Sequence, residues 1–138
     1  MRQFLIIPGL VCLLALFIGC DDHSPSMKLA MLDLGKSAVE DSSIVSEYNA
    51  LLSNAEAVFA ENASDIAAMT IEAQRNLDDG GIYVSAKDIL RGLSLMPSDE
   101  YMKPKFTRSI AAYVEKRKSG KSHNDAISDL FSTSRSSY

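Results

Sequence analysis

The chain has 138 residues, of which 14 are basic and 18 are acidic, and its formal net charge is −4 at pH 7. This length allows one small domain and excludes a multidomain arrangement. The charge is unevenly distributed, because residues 20–82 carry twelve acidic and three basic side chains while residues 83–138 carry six acidic and ten basic ones. The simpler interpretation is that the two halves dock on each other. The alternative is that the basic half meets lipid headgroups or an acidic partner.

The N-terminus has the organisation of a secretory signal. The chain opens with Met-Arg-Gln, and residues 4–19, FLIIPGLVCLLALFIG, carry no charge. A membrane span needs about 20 apolar residues, so this run is short for one. A basic start, a short apolar centre and a small residue at its end are the marks of a signal peptide. We therefore assign residues 1–19 to a signal peptide and leave them out of the fold.

The end of this run, Phe17-Ile18-Gly19-Cys20, resembles the lipobox of bacterial lipoproteins, although that pattern most often has leucine where Phe17 stands. The resemblance implies cleavage between Gly19 and Cys20 and a diacylglycerol, with acyl chains such as palmitate, on the sulfur of Cys20. Each buried methylene contributes about 0.8 kcal/mol, so two or three chains hold a protein firmly at a bilayer. The alternatives are a plain signal peptide and an uncleaved N-terminal helix with an incidental cysteine.

The residues around Cys20 also predict a location. Asp21 and Asp22 resemble the signal that retains lipoproteins in the inner membrane of enteric bacteria. We expect a lipid-anchored protein that faces the periplasm, on the inner membrane rather than the outer one. Cys12 leaves with the signal and Cys20 carries lipid, so the mature chain has no internal disulfide. The fold must then rest on its hydrophobic core.

The remaining chain divides into three segments by composition. Residues 20–26 form a short polar tether, residues 27–131 form the helical domain, and residues 132–138, STSRSSY, form a flexible tail.

The N-terminal half has helical periodicity. A first helix is predicted over about 26–40, weakly interrupted by Gly35, and a second over 42–79, capped by Ser42 or Ser43. Within the second, steps of three and four residues alternate as in a packed hairpin or coiled coil. The positions of this heptad seam are Val45, Tyr48, Leu52, Ala55, Phe59, Asn62, Ile66, Met69 and Ala73.

The course of the chain at Asn62 is the main ambiguity of this half. Asn62 followed by Asp65 could be an N-cap that divides the helix near Glu61. Because the seam stays in register through Asn62, we expect one continuous helix over 42–79 with a polar layer there. Gly80 and Gly81 should stop it.

The C-terminal half predicts three shorter helices. Ser85 with Asp88 and Ser122 with Asp125 have capping-box spacing, and a helix should run from near Lys103 to Lys118, because Pro104 is tolerated only in a first turn. The segment GIYV is the only candidate strand. The predicted fold class is all-α: a small helical bundle with a long N-terminal helix or helical hairpin and three shorter C-terminal helices.

No set of residues indicates catalysis or a cofactor. His23 lies in the tether and His123 beside a helix cap, and these two with Asp125 are too few for a metal site. No serine lies in a nucleophile-elbow pattern. The acidic pair followed by Gly80 and Gly81 lacks the ligand spacing of a calcium or phosphate loop. We expect no metal, no cofactor and no enzymatic activity.

A basic cluster near the end of the fourth predicted helix is a candidate partner surface. Lys116, Arg117, Lys118 and Lys121 could bind anionic lipid or an acidic protein. They are also explained by a helix C-terminus, where cations are favoured. An exported protein seldom meets nucleic acid and the cluster lacks interleaved aromatic residues, so no nucleic-acid partner is expected.

Two functional hypotheses follow. The segment from YVSAKDIL to HNDAISDLF resembles the Tai-type immunity proteins of type VI secretion, whose usual cysteines are missing here, so their disulfide and inhibitory residues are not carried over. That resemblance implies a protein-interaction module, of immunity or exclusion type, that captures an envelope protein. The second hypothesis is a structural or assembly lipoprotein in which the heptad seam over 45–73 mediates self-association, giving a homo-oligomer, or association with an envelope complex. A seam buried by the domain's own helices would favour the first.

Overall fold

The computed structural model describes residues 23–135, and within them it consists of six α-helices and no named strand. The helices are α1 (Pro25–Leu34), α2 (Ser42–Val58), α3 (Ala63–Asp79), α4 (Ala86–Leu93), α5 (Phe106–Lys118) and α6 (His123–Arg135), and a 3-10 helix covers Lys36–Glu40. The all-α helical bundle is therefore confirmed. The segment GIYV is irregular. The first helix begins at Pro25 and the last one ends at Arg135, whereas the expected helical domain covered residues 27–131.

The continuous helix expected over 42–79 is wrong, and the N-cap alternative at Asn62 is what the structure contains. Helix α2 ends at Val58, α3 begins at Ala63, and the two form a hairpin. Asn62 is exposed and extended, with φ −81 and ψ 166, and its side-chain oxygen accepts the N–H of Asp65 at 2.9 Å. The side chain of Glu56 accepts the N–H of Ala63 at 2.6 Å. Because Asn62 caps a helix better than it fills a core position, local capping outweighs the heptad register.

Three other helix boundaries, one end and two starts, differ from the expected ones. Helix α1 ends at Leu34 because Gly35 adopts φ 90, so residues 36–40 form a separate 3-10 turn. Asp41 caps α2, accepting the N–H of Ser43 at 2.9 Å, in place of Ser42 or Ser43. Helix α5 begins at Phe106 rather than near Lys103, which leaves Pro104 outside the helix.

The capping signals of the C-terminal half are confirmed. Ser85 accepts the N–H of Asp88 at 3.0 Å, and Ser122 accepts the N–H of Asp125 at 3.1 Å. Helix α3 stops at its two glycines, of which Gly81 adopts φ 77, a conformation that few other residues tolerate.

The hairpin encloses the heptad seam in the core of the domain. Its buried members are Tyr48, Leu52, Ala55, Phe59, Ile66 and Ala73. Phe59 packs edge-on against Phe106 of α5, with ring centroids 5.0 Å apart. Burial of such side chains supplies most of the stability of a domain without disulfides.

The oppositely charged halves of the chain do dock on each other. Glu47 of α2 pairs with Lys87 at 2.6 Å and with Arg91 at 3.0 Å, both on α4. Glu61 accepts the N–H groups of Phe106 and Thr107 at 2.7 and 3.2 Å, at the start of α5. Burial alone would raise the pKa of Glu61, but these hydrogen bonds outweigh it and leave that pKa below its ordinary value.

Among the described residues, no helix combines the length and the apolar character that crossing a membrane requires.

The division of the predicted helix at Asn62 predicts whether replacing this residue raises or lowers the free energy of unfolding. Asn62→Ala removes the cap of α3 and should lower the free energy of unfolding by about 1 kcal/mol, measured by urea denaturation. The neighbouring exposed residue supplies the control, Ser64→Ala, which should change that free energy by less than about 0.5 kcal/mol. In a continuous helix, alanine would replace a buried polar residue with a better helix former, so a more stable Asn62→Ala protein would contradict this structure.

Candidate functional site

The carboxylate of Asp33 joins four helices. It lies in the last turn of α1, and Oδ2 accepts the hydroxyl of Tyr48 at 2.7 Å and the N–H of Lys87 at 3.0 Å. Its Oδ1 accepts the side-chain amide of Gln74 at 3.0 Å and the N–H of Ala86 at 2.8 Å. The carboxylate therefore sits at the N-terminus of α4, where the helix dipole and free N–H groups favour an anion.

The hydrogen bonds to Asp33 determine the state of two further polar side chains, Tyr48 and Gln74. Burial, followed by the hydrogen bond to Asp33, raises the pKa of Tyr48 well above its ordinary value, so its hydroxyl remains a donor. Gln74 uses its amide nitrogen for Asp33, while its Oε1 is buried and has no hydrogen-bond partner within residues 23–135. Such a buried acceptor costs stability unless a donor reaches it.

A cleft of about 520 Å³ opens beside Asp33, between α1, α3 and the segment that leads into α4. Its polar lining consists of Asp33, Gln74, Arg75, Asp78, Ser85 and Asp88. Tyr83 also lines the cleft, and 81% of its surface is exposed. The three carboxylates outnumber the one cation, so the cleft offers an aromatic ring beside a net negative charge. Such a surface suits a cationic side chain, which pairs with carboxylates and stacks on aromatic rings.

A second polar cluster lies where α5 meets α6. The hydroxyl of Tyr113 lies 2.7 Å from Nδ1 of His123, and Arg117 Nη1 donates to the same hydroxyl at 3.1 Å. The tautomer of His123 sets which of the two groups donates, since a phenolic oxygen can accept from both Arg117 and Nδ1. Burial lowers the pKa of His123, with Arg117 adding to this effect and Asp88 opposing it. The hydrogen bond between Tyr113 and His123 joins α5 to α6.

Close packing surrounds this histidine. A Cβ built at Gly92 of α4 would lie 2.7 Å from Cδ1 of Ile127 and 3.2 Å from Nε2 of His123. A larger residue at position 92 would have to displace the side chain of Ile127, which occupies the space beside Gly92.

The predicted basic partner surface is largely engaged within the fold. Lys116 and Lys121 both pair with Asp129 of α6, and Lys116 does so at 3.6 Å. Arg117 contacts Tyr113, with its guanidinium carbon 6.0 Å from the ring centroid. Lys118 is exposed and lines a cleft beside the end of α3. The four residues therefore do not form a single free cationic patch.

Other predicted site residues have different positions. The cleavage site at Gly19 and Cys20, the lipidation site Cys20 and the sorting residues Asp21 and Asp22 lie outside the described residues, and those assignments stay predictions. No group of three or more His, Cys, Asp or Glu residues within 23–135 is arranged to hold a metal ion.

The sequence contained one signal for Asp33 that the periodicity analysis did not use. An acidic residue in the last turn of a helix is opposed by the helix dipole unless it has a partner elsewhere. Asp33 lies between Leu32 and Leu34, two residues before the helix-ending Gly35, and is therefore such a residue. Its partners at 48, 74, 86 and 87 depend on tertiary packing and have no local signature.

The fold and its cleft define a small all-α bundle domain whose helices are joined by carboxylates placed at helix N-termini. A family model described as MoxZ matches residues 35–135, more than half of the chain, and the chain belongs to that family. The matched region begins just after Asp33 and includes all four groups that Asp33 contacts. No curated protein and no solved structure matches the chain.

Neutralising Asp33 should destabilise the whole domain. The carboxylate of Asp33 accepts four hydrogen bonds, whereas the amide nitrogen of asparagine would face at least one of these donors and could not accept its hydrogen bond. Asp33→Asn should therefore lower the free energy of unfolding by about 3 kcal/mol. Asp78→Asn alters an exposed carboxylate of the same cleft and should change stability by less than about 0.5 kcal/mol. Urea denaturation of both variants measures the difference, and equal stabilities would refute the linking role of Asp33.

The lowered pKa of His123 predicts how stability depends on pH. Below about pH 6.5 the unfolded chain binds a proton on this histidine before the folded chain does, so its contribution to stability is present above that pH and is lost as the pH falls. His123→Gln removes the titration and keeps a hydrogen-bonding side chain. The stability difference between the parent protein and this variant should shrink from about pH 7 to pH 5 in urea titrations. A difference that stays constant or widens would contradict the assignment.

Proposed function

We propose that this protein is a lipid-anchored binding module of the cell envelope, held by Cys20 at the periplasm-facing side of a membrane, where it captures another protein. The anchor rests on the lipobox-like residues Phe17 to Cys20. The residues that follow support it, because helix α1 starts only five residues after Cys20 and the folded domain would sit directly beside the lipid.

The observation that carries the binding role is the cleft beside Tyr83. An aromatic ring that is 81% exposed, next to a concave surface of about 520 Å³, has the composition of a protein-binding hot spot. Asp78 and Asp88 favour a partner that inserts a lysine or arginine. An immunity-type role would make that partner a secreted toxin, in line with the resemblance of the C-terminal half.

The alternative, self-association through the heptad seam, is less favoured. Tyr48, Phe59 and Ile66 have exposed fractions of 1% or less. A second copy could not reach these side chains unless the hairpin opened, which would expose the core. The buried seam therefore supports a capture role over an assembly role.

Membrane anchoring and partner capture can be tested in the same cells. The parent protein should fractionate with membranes and carry a diacylglycerol on Cys20 by mass spectrometry, whereas Cys20→Ala should fractionate as a soluble protein. A photo-crosslinking amino acid placed at Tyr83 should trap one protein, and Asp78→Lys should abolish the product because the reversed charge repels a cationic partner.

The same crosslinker at Asn54, an exposed position on α2, supplies the control. Equal products at positions 54 and 83 would mean nonspecific contact. The binding role fails if Tyr83 yields no product on the lipidated protein, and the anchor fails if Cys20 is unmodified.

A further inference from the structure

The helix directions place the start of α1 at one end of the bundle. Helices α1, α2 and α3 are joined by short connections and pack on one another, from which we infer that α2 runs antiparallel to α1 and that α3 runs parallel to it. Asp33, near the end of α1, contacts Tyr48 of α2 and Gln74 of α3, so these three residues lie at the same height along the bundle. Pro25 lies eight residues earlier, or about 12 Å away along the axis. That distance brings it to the level of Glu56 on α2.

The connection between α4 and α5, residues 94–105, lies at the same end. Lys103 donates from Nζ to the backbone oxygen of Glu56 at 2.9 Å, and the N–H of Ala60 donates to the oxygen of Pro104 at 3.1 Å. The 94–105 connection therefore lies where α2 ends, at the end of the bundle where the inferred helix directions place the start of α1. The cleft beside Asp33 lies at the opposite end of the bundle. Lys118 lies at that end too, because it lines the same cleft as Asp79 at the end of α3.

The 94–105 connection carries three of the five large apolar side chains that are exposed within residues 23–135. Tyr101 is 90% exposed, Leu95 is 72% exposed and Met102 is 65% exposed. A tight turn presents two of them, because the N–H of Met102 donates to the oxygen of Asp99 at 3.1 Å and Asp99 also accepts the N–H of Tyr101. Such exposure in a domain with a complete core marks a contact surface.

The length of the chain before α1 identifies what this surface meets. Pro25 lies five residues after Cys20, so the chain between them spans at most about 17 Å when fully extended. A domain of this size has a radius of gyration of about 13 Å and is about 35 Å across. A lipid on Cys20 would therefore hold the end that bears Pro25 against the bilayer and keep the Asp33 end away from it.

We propose that the 94–105 connection docks on the lipid bilayer, with Tyr101 and Met102 in the headgroup region. This inference rests on the proposed lipid anchor. Tyrosine suits that depth because its ring is apolar and its hydroxyl remains hydrated. Lys103 and Lys105 balance the charges of Asp99 and Glu100, so the contact is mainly apolar and changes little with salt. The partner cleft beside Tyr83 then faces the periplasm.

The absence of tryptophan from the chain allows a direct test. Tyr101→Trp and Tyr83→Trp each introduce a single fluorophore at an exposed position, one at each end of the bundle. Both lipidated proteins are reconstituted into vesicles of phosphatidylethanolamine and phosphatidylglycerol with brominated acyl chains. We expect the indole at position 101 to emit at shorter wavelength and to lose most of its emission to bromine quenching. The indole at position 83 should keep a solvent-exposed spectrum.

The possible results separate this proposal from the anchor on which it rests. Protein that floats with the vesicles but shows no quenching at position 101, or stronger quenching at position 83, would overturn the docking alone. Protein that does not float would overturn the anchor and the docking together. Shielding of position 101 only when native membrane proteins are added would assign the connection to a protein partner instead.

Discussion

The carboxylate of Asp33 is the interaction on which the arrangement of the bundle depends. It places a negative charge from the end of α1 at the start of α4, and it binds α2 and α3 through Tyr48 and Gln74. Within α1 alone that charge is unfavourably placed, since it lies at the negative end of the helix dipole. When α1 docks on α4, the carboxylate lies at the positive end of the α4 dipole. The charge that destabilises α1 alone therefore stabilises the packed bundle.

Capping between helices recurs through the domain and accounts for its uneven charge. Glu61 from the hairpin loop caps α5, Glu56 caps α3, and Glu47 pairs with the cations of α4. The acidic half supplies carboxylates to the helix starts and side chains of the basic half. The excess of basic residues in that half is thus partly used within the fold, as it is for Lys87 and Arg91, which pair with Glu47 of the acidic half.

The two ends of the bundle differ in chemistry. The end that contains Asp33 and Tyr83 has a cleft with an excess of carboxylates, whereas the connection at the other end exposes the side chains of Tyr101 and Met102. A chain tethered by lipid close to Pro25 would present these ends in opposite directions. The proposed anchor, the proposed partner cleft and the proposed bilayer contact are therefore consistent with one orientation of the domain.

The sequence alone determined the helical class and the helix ends with local signatures, because capping by Ser85 and Ser122 and the stop at Gly81 involve neighbouring residues only. Heptad spacing identified buried positions but could not show whether the chain turned back at Asn62, since both a continuous helix and a hairpin keep the same periodicity. Only the tertiary structure decided the role of Asp33 and the cleft beside it. Their partners lie up to 54 residues away in the chain and meet only when four helices pack.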